Sequence, residues 1–392
     1  MLFIGIDVSK SKHDCCILDS NGVVINDSLR ISNSKEGFNT LYNTIISYVK
    51  SNDLSNIKIG LESTGHYSIN ITNFLYSKGF NIVTLNPLIT NAFRKMTTLR
   101  KTKTDKSDAK IIATMLFSDE SKSYSPLSYH IDELKSLTRH RYRMIGYRSK
   151  LKLSVNRLID IIFPELPNIV WSIHQNSCYQ LLLELPSPKA ISECHLTHLT
   201  SIISKASNGR YGREKALELK QLAANSIGSS NRSLSFELQQ TIRLIQSVQN
   251  EINALDKQIK LVIDEINTPL ITIPGIGYII AAIILAEIGD INNFSSPAKL
   301  LAFAGMEPST YQSGKYTASN TNMVKRGSTY LRWAIMQAAR LVAMREPTFA
   351  AYMSKKRSEG KHFNVARSHV GKKLIRVIYH LLKYNCPFVS KT

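Results

Sequence analysis

Three short acidic motifs constrain this chain more than any other feature: Gly5-Ile6-Asp7-Val8-Ser9-Lys10, Leu61-Glu62-Ser63-Thr64-Gly65 and Thr104-Asp105-Lys106-Ser107-Asp108-Ala109. Each carboxylate falls where an apolar strand ends or a helix begins. Leu2 to Val8, His13 to Asp19 and Val23 to Ile31 read as three strands of an antiparallel meander, with Ser20-Asn21-Gly22 as a hairpin signal at the second turn. Helical periodicity follows from Lys35 to Val49, then a strand from Ile57 to Leu61 ending at Glu62, a helix from Tyr67 to Ser77 and a strand from Phe80 to Leu85.

Meander, helix, strand, helix, strand is the element order of an RNase H-like α/β domain, in which four acids converge on divalent metal beside a polynucleotide backbone. Asp105 and Asp108 stand three apart at the start of a helix whose apolar positions run Ala109, Ile112, Ala113, Leu116, so both lie on one face near its first turn. Aspartates also favour the positive end of any helix. The pair in company with Asp7 and Glu62 makes a metal site the stronger reading. The bases Arg94, Lys95, Arg100, Lys101, Lys103, Lys106 and Lys110 surround the two aspartates and can grip phosphates.

The 50 Lys and Arg against 29 Asp and Glu give a formal net charge of +21, which favours polyanions through counterion release. A length of 392 residues with 43% hydrophobic content fills two or three domains and excludes a disordered tail. Cys15, Cys16, Cys178, Cys194 and Cys386 form no C-x-x-C pair, which argues against a disulfide framework or zinc ribbon and suits a reducing cytosol. Met1 runs straight into the first strand with no secretory signal. The densest apolar stretch, Tyr278 to Ile288, falls short of the roughly 20 residues a membrane span needs. The expectation is a soluble cytoplasmic protein that meets nucleic acid and no membrane.

Ile131 to Ile162 reads as a long helix with three-four apolar spacing, Arg141 and Arg148 falling inside the seam and Arg139, Arg143, Lys150, Lys152 and Arg157 on its other faces. Arginines in such a stripe either snorkel from a helical hairpin or mark a nucleic-acid partner, and both readings stay open. Leu238 to Ile266 repeats the spacing and needs a partner for its stripe. That partner is the first long helix running antiparallel, with residues 172–230 as a helical cap between them, or an identical chain.

Ile273-Pro274-Gly275-Ile276-Gly277-Tyr278 has the form of a helix-hairpin-helix element, whose backbone N–H groups at Gly275 and Gly277 can hold a phosphate; a tight turn between packed helices is the plainer alternative. Ala304 to Lys315 lacks periodicity and reads as an exposed loop, with Lys325, Arg326 and Arg332 following. Ser313, a loop hydroxyl flanked by Lys315 and those bases, is a candidate nucleophile, although Ser-Gly is more often a turn. His13 and His66 stand beside the acidic motifs and are candidates to support them from behind.

The three acidic motifs followed in order by Pro274-Gly275-Ile276-Gly277, Ala302-Phe303-Ala304-Gly305 with Pro308, Ser313-Gly314 and Lys325-Arg326-Gly327 resemble the DEDD transposases and recombinases of the insertion sequence 110 family, a group that includes Piv-type DNA invertases. The resemblance covers residues 1–160 and 268–345 and skips the middle. It implies an α/β plus all-α fold: an RNase H-like (RuvC-like) catalytic domain over 1–120, a coiled-coil and helical linker region over 121–267, and a helical C-terminal transposase domain over 268–392. It implies Mg²⁺ or Mn²⁺ on Asp7, Glu62, Asp105 and Asp108, and Ser313 as the nucleophile. It also implies donor and target DNA as substrates and a noncoding bridge RNA as guide. A homo-oligomer, dimer or tetramer, would take acids from one protomer and the serine from another. Two other readings remain: a RuvC-like structure-selective endonuclease using metal-activated water, and a non-catalytic nucleic-acid-binding scaffold.

Overall fold

The computed structural model describes residues 1–49, 54–62, 66–85, 87–97, 104–118, 129–309, 312–313, 316–317 and 322–390. The chain divides into two compact units, Met1–Pro126 and Leu127–Thr392. Among the described residues no helix is long and apolar enough to cross a membrane, and the five cysteines are free thiols.

In the first unit, β1 (Leu2–Val8), β2 (Lys12–Leu18) and β3 (Val24–Ser32) form the expected meander, followed by α1 (Lys35–Ser47), β4 (Ile57–Glu62), α2 (Ser68–Ser77) and β5 (Asn81–Leu85). The β2–β3 turn is closed by Asp19, whose carboxylate accepts the N–H groups of Asn21 and Val23 at 2.8 Å each, while Gly22 supplies a φ of +78°. The five strands lie in the order β3-β2-β1-β4-β5, with β4 parallel to both β1 and β5. The sheet is covered on both faces, which is why β1 and β4 read as near-continuous apolar runs. Ile4, Ile6, Ile59 and Leu61 pack with Phe38 of α1 and Ile71 of α2 on one side. Phe3, Cys16 and Val83 pack on the other with Ala109, Ile112 and Leu116 of α4 (Asp105–Ser118). A helix unforeseen from the sequence, α3 (Pro87–Thr97), packs against α4 and contributes Phe93 to that layer.

The second unit is built on two long helices, α5 (Tyr129–Ile162) and α10 (Arg232–Ile266). They run antiparallel within one chain, as the pairs Arg141–Asp256, Arg148–Gln249 and Arg157–Glu237 show, so α10 finds its partner in cis. Arg141 and Arg148 sit in the seam because a partner on the facing helix meets each guanidinium; the nucleic-acid reading of these two is not needed. Between them, α6 (Asn176–Glu184), α7 (Pro188–Glu193), α8 (Leu196–Ala206) and α9 (Arg213–Ala224) form the expected cap, burying Leu182, Leu199 and Leu219 against Leu158 and Leu238.

At the other end of the long pair, Leu134 and Ile259 join a core made by α11 (Tyr278–Ile288), α12 (Pro297–Phe303), α13 (Thr329–Arg345), α14 (Pro347–Ser358) and α15 (Phe363–Tyr384). The stretch expected as an exposed loop from Ala304 is a loop only in part. Ala304, Gly305 and Met306 are buried, because Gly305 at φ +64° terminates α12 and turns Met306 into the core. Pro308 bridges to Met323, and a short antiparallel pair, β6 (Gln312–Ser313) and β7 (Tyr316–Thr317), lies between.

Candidate active site

Strand register gathers the acids. Ile6 pairs with Leu61 in the parallel β1–β4 ladder, so the next step sets Asp7 beside Glu62. Asp7 pairs directly with Asp14 across β1–β2. Alternation along each strand puts Asp7 with Phe3 and Gly5, Asp14 with Cys16, and Glu62 with Gly60, all on the α4 face of the sheet. There α4 comes down backbone-first: a Cβ on Gly5 would lie 2.1 Å from the Ala109 carbonyl oxygen. That approach carries the first turn of α4, with Asp105 and Asp108, to the end of β1. The turn is fixed by a reciprocal cap, in which Thr104 Oγ1 accepts the Ser107 N–H at 3.2 Å and Ser107 Oγ accepts the Thr104 N–H at 3.0 Å.

The electrostatics follow from this crowding. The Asp7 carboxyl is pushed up to about 6, chiefly by burial and then by the negative charges of Asp108, Asp105, Glu62 and Asp14. Three of those acids carry a counter-cation: Arg94 Nη2 of α3 lies 3.1 Å from Asp108, Lys12 Nζ lies 3.4 Å from Asp105, and Arg30 Nε lies 2.9 Å from Asp14. Asp14, 7% exposed, escaped the sequence reading. Its signal was available: in the meander register it is the residue opposite Asp7.

The donor set is all carboxylate oxygen, the chemistry of a hard divalent cation. As they stand, no three His, Cys, Asp or Glu side chains among the described residues are grouped closely enough to hold a metal ion. Arg94 and Lys12 stand at two of the acids.

His13 does not support the acids. Its neighbour Asp14 faces α4, so His13 points to the other side, is fully buried and stacks on Phe38 with ring centroids 5.9 Å apart. Burial holds its imidazole below the ordinary value. His66 is exposed and lies against Tyr67. Arg100, Lys101, Lys103 and Lys315 lie outside the described residues.

In the second unit, Ser313 pairs with Tyr316 in the β6–β7 ladder. The feet of this arm are pinned: Ser309 N–H donates to the Asn322 carbonyl at 2.8 Å, and Arg332 Nη1 donates to the carbonyls of Ala304 and Lys325 at 3.2 Å each. Arg332 therefore serves the arm from inside. Arg139 likewise has an internal partner, the buried Glu287, at 2.7 and 3.1 Å, and Glu287 also accepts from Ser328 Oγ at 2.7 Å, where Ser328 caps α13. Glu287 carries no signal legible in one dimension, because an acid inside an apolar helix acquires its meaning from two partners far along the chain. Gly275, at φ +101° with α13 backbone 2.8 Å from where a Cβ would stand, is the tight turn between packed helices. Gly277 is exposed at the start of α11, and Arg143, Lys150, Lys325 and Arg326 are exposed.

Comparison with known proteins matches the two ends of the chain separately. A family model of DEDD type described as "Transposase" covers residues 4–164, and one described as "Transposase IS116/IS110/IS902 family" covers residues 267–354. An "Insertion element IS116 uncharacterized 44.8 kDa protein" of Streptomyces clavuligerus is 24% identical over 97% of this chain and 94% of its own length. A "Pilin gene-inverting protein" of Moraxella bovis is 23% identical over 98% of this chain and 97% of its own. A "Transposase for insertion sequence element IS1328" of Yersinia enterocolitica is 31% identical over 30% of this chain and 35% of its own.

Proposed function

The chain belongs to the IS116/IS110/IS902 family of transposases, and from that premise we propose that it cuts and rejoins DNA as an insertion-sequence recombinase with a DEDD acid site and a serine nucleophile. The observation that carries this reading is the gathering of Asp7, Glu62, Asp105 and Asp108 on one sheet face, with the Asp7 carboxyl pushed up to about 6 by burial and its acidic neighbours. The meander followed by two parallel strands supports an RNase H-like, RuvC-type domain.

Asp7, Glu62, Asp105 and Asp108 would hold Mg²⁺ or Mn²⁺, which when bound polarises a phosphodiester and acidifies an oxygen nucleophile. Lys12 and Arg94, beside Asp105 and Asp108, would balance the charge of a phosphate brought to the acids. Ser313 Oγ attacks phosphorus and gives up its hydroxyl proton; the Oγ–P bond forms, the strand's P–O bond breaks, and the leaving DNA oxygen takes up a proton, so that none is gained or lost overall. The resulting ester conserves the phosphodiester bond energy for rejoining. The pinned feet of the β6–β7 arm hold Ser313 on a fixed base. Exposed Arg143, Lys150, Lys325 and Arg326 are offered to donor DNA, target DNA and a guiding bridge RNA. A homo-oligomer then supplies acids and serine from different protomers.

The experiment is a denaturing gel of labelled donor DNA incubated with Mg²⁺ and protein co-expressed with the noncoding DNA flanking its gene. A protein–DNA adduct is expected, lost in Ser313→Ala. Cleavage without adduct, indifferent to that substitution, would make the protein a hydrolytic nuclease.

A further inference from the structure

The helices α14 and α15 form an open pocket of about 280 Å³ lined by Tyr352, His369, Lys372, Lys373 and Arg376. All but Tyr352 come from α15, which lies beyond the residues matched by either family model. Positions 369, 372, 373 and 376 are spaced three and four apart, so they form one stripe of α15 directed into the pocket.

No acid lines this space, and among the described residues Lys372, Lys373 and Arg376 enter no ion pair. Lys373 is held in place by aromatic rings, its Nζ 5.2 Å from the Phe349 centroid and 5.1 Å from that of Tyr352. A pinned lysine has less conformational freedom to lose when it meets an anion. Burial lowers the proton affinity of Lys372, and burial together with nearby lysines lowers that of His369. The pocket as built is short of negative charge.

The excess extends beyond the pocket: from Pro347 to Tyr384 there are nine Lys and Arg and one acid, Glu359. A single small anion would satisfy the pocket alone, whereas a charge surplus spread over two helices fits a chain of phosphates. We propose that this pocket seats a backbone phosphate of a bound polynucleotide strand, anchoring nucleic acid in the unit that does not carry the acid cluster. The proposal rests on the recombinase reading only for the identity of the polyanion.

The test is made without metal, so a failure of the strand chemistry leaves it standing. Fluorescence anisotropy of the full chain in EDTA, across a salt series, measures binding to random-sequence DNA and RNA, single- and double-stranded. Lys372→Gln/Arg376→Gln, which leaves Lys373 between its rings, is compared with Lys205→Gln/Lys257→Gln, two exposed bases of other helices. Binding about tenfold weaker than wild type, with a salt slope shallower by about 2, is expected for the pocket variant alone. The strand type with the largest loss identifies the ligand. A loss no greater than in the control pair, or one with unchanged salt slope, overturns the proposal. Arg376→Gln alone, at an exposed position that leaves the core intact, is expected to lower the slope by about 1. An unchanged slope there overturns the proposal even where the double variant fails to fold.

Discussion

Asp7→Asn lowers DNA strand cleavage on the order of 10³-fold or more while DNA affinity stays within about threefold of wild type. Asp7 is the acid on which the others act: its carboxyl is raised to about 6 by burial and by Asp108, Asp105, Glu62 and Asp14. Asparagine keeps the shape and hydrogen-bonding capacity at the end of β1 but carries no charge and binds a hard cation weakly. DNA binding draws on the +21 net charge, spread over surfaces well beyond this residue. Cleavage and binding measured on the same labelled duplex check the prediction; wild-type cleavage by Asp7→Asn would remove the acid cluster from the chemistry.

Gly5→Ala costs the first unit at least about 3 kcal/mol, at the upper end of overpacking effects. The new Cβ would stand 2.1 Å from the Ala109 carbonyl oxygen and 2.4 Å from the Ala113 amide nitrogen. Both are backbone atoms of α4, so no rotamer change relieves the clash and the helix must lift. At Gly60 a Cβ would meet only the end of the Leu116 side chain at 2.8 Å, which can turn aside, so Gly60→Ala costs less. Gly146, with nothing within 4 Å of a built Cβ, is the control. Thermal unfolding should place the first unit's transition more than about 10 °C lower in Gly5→Ala. Melting at the wild-type temperature would contradict the close approach that brings Asp105 and Asp108 to the acid site.

The strands, the helices after them and three of the acid motifs were legible because their signals are local. Strand periodicity located β1 from Leu2 to Val8 and ended β4 at Glu62, while the apolar spacing Ala109, Ile112, Ala113, Leu116 announced α4. Asp14 was missed because its place depends on which residue lies opposite, a long-range fact of register. The same holds for the ion pair of Arg94, read only as a phosphate-gripping base, because its partner Asp108 is on another element. Arginines were the hardest residues to read. Arg139 and Arg332 look like an exposed basic surface in one dimension and Arg141 like a seam residue open to two readings, yet a buried glutamate, two carbonyls and a facing aspartate, respectively, occupy their guanidiniums. His13 was misread for the converse reason: adjacency in sequence puts consecutive strand residues on opposite faces.

Thermal unfolding with and without Mg²⁺, at pH 7.5 and 5.0, tests the proposed gathering of the first unit's acids into one cation-binding site. Asp7 titrates near 6 in the folded protein, above its ordinary value, so between that value and 6 the folded state holds a proton the unfolded state has released. Without metal, the contribution of this group to stability therefore falls as pH rises through that window. At pH 7.5 Asp7 is charged and repelled by its neighbours, so Mg²⁺ raises the unfolding temperature; at pH 5.0 the proton already occupies the carboxyl and the rise is small. In Asp7→Asn the difference between the two pH values disappears. An unfolding temperature that Mg²⁺ leaves unmoved at pH 7.5, or moves equally at both, contradicts a metal-binding acid site centred on Asp7.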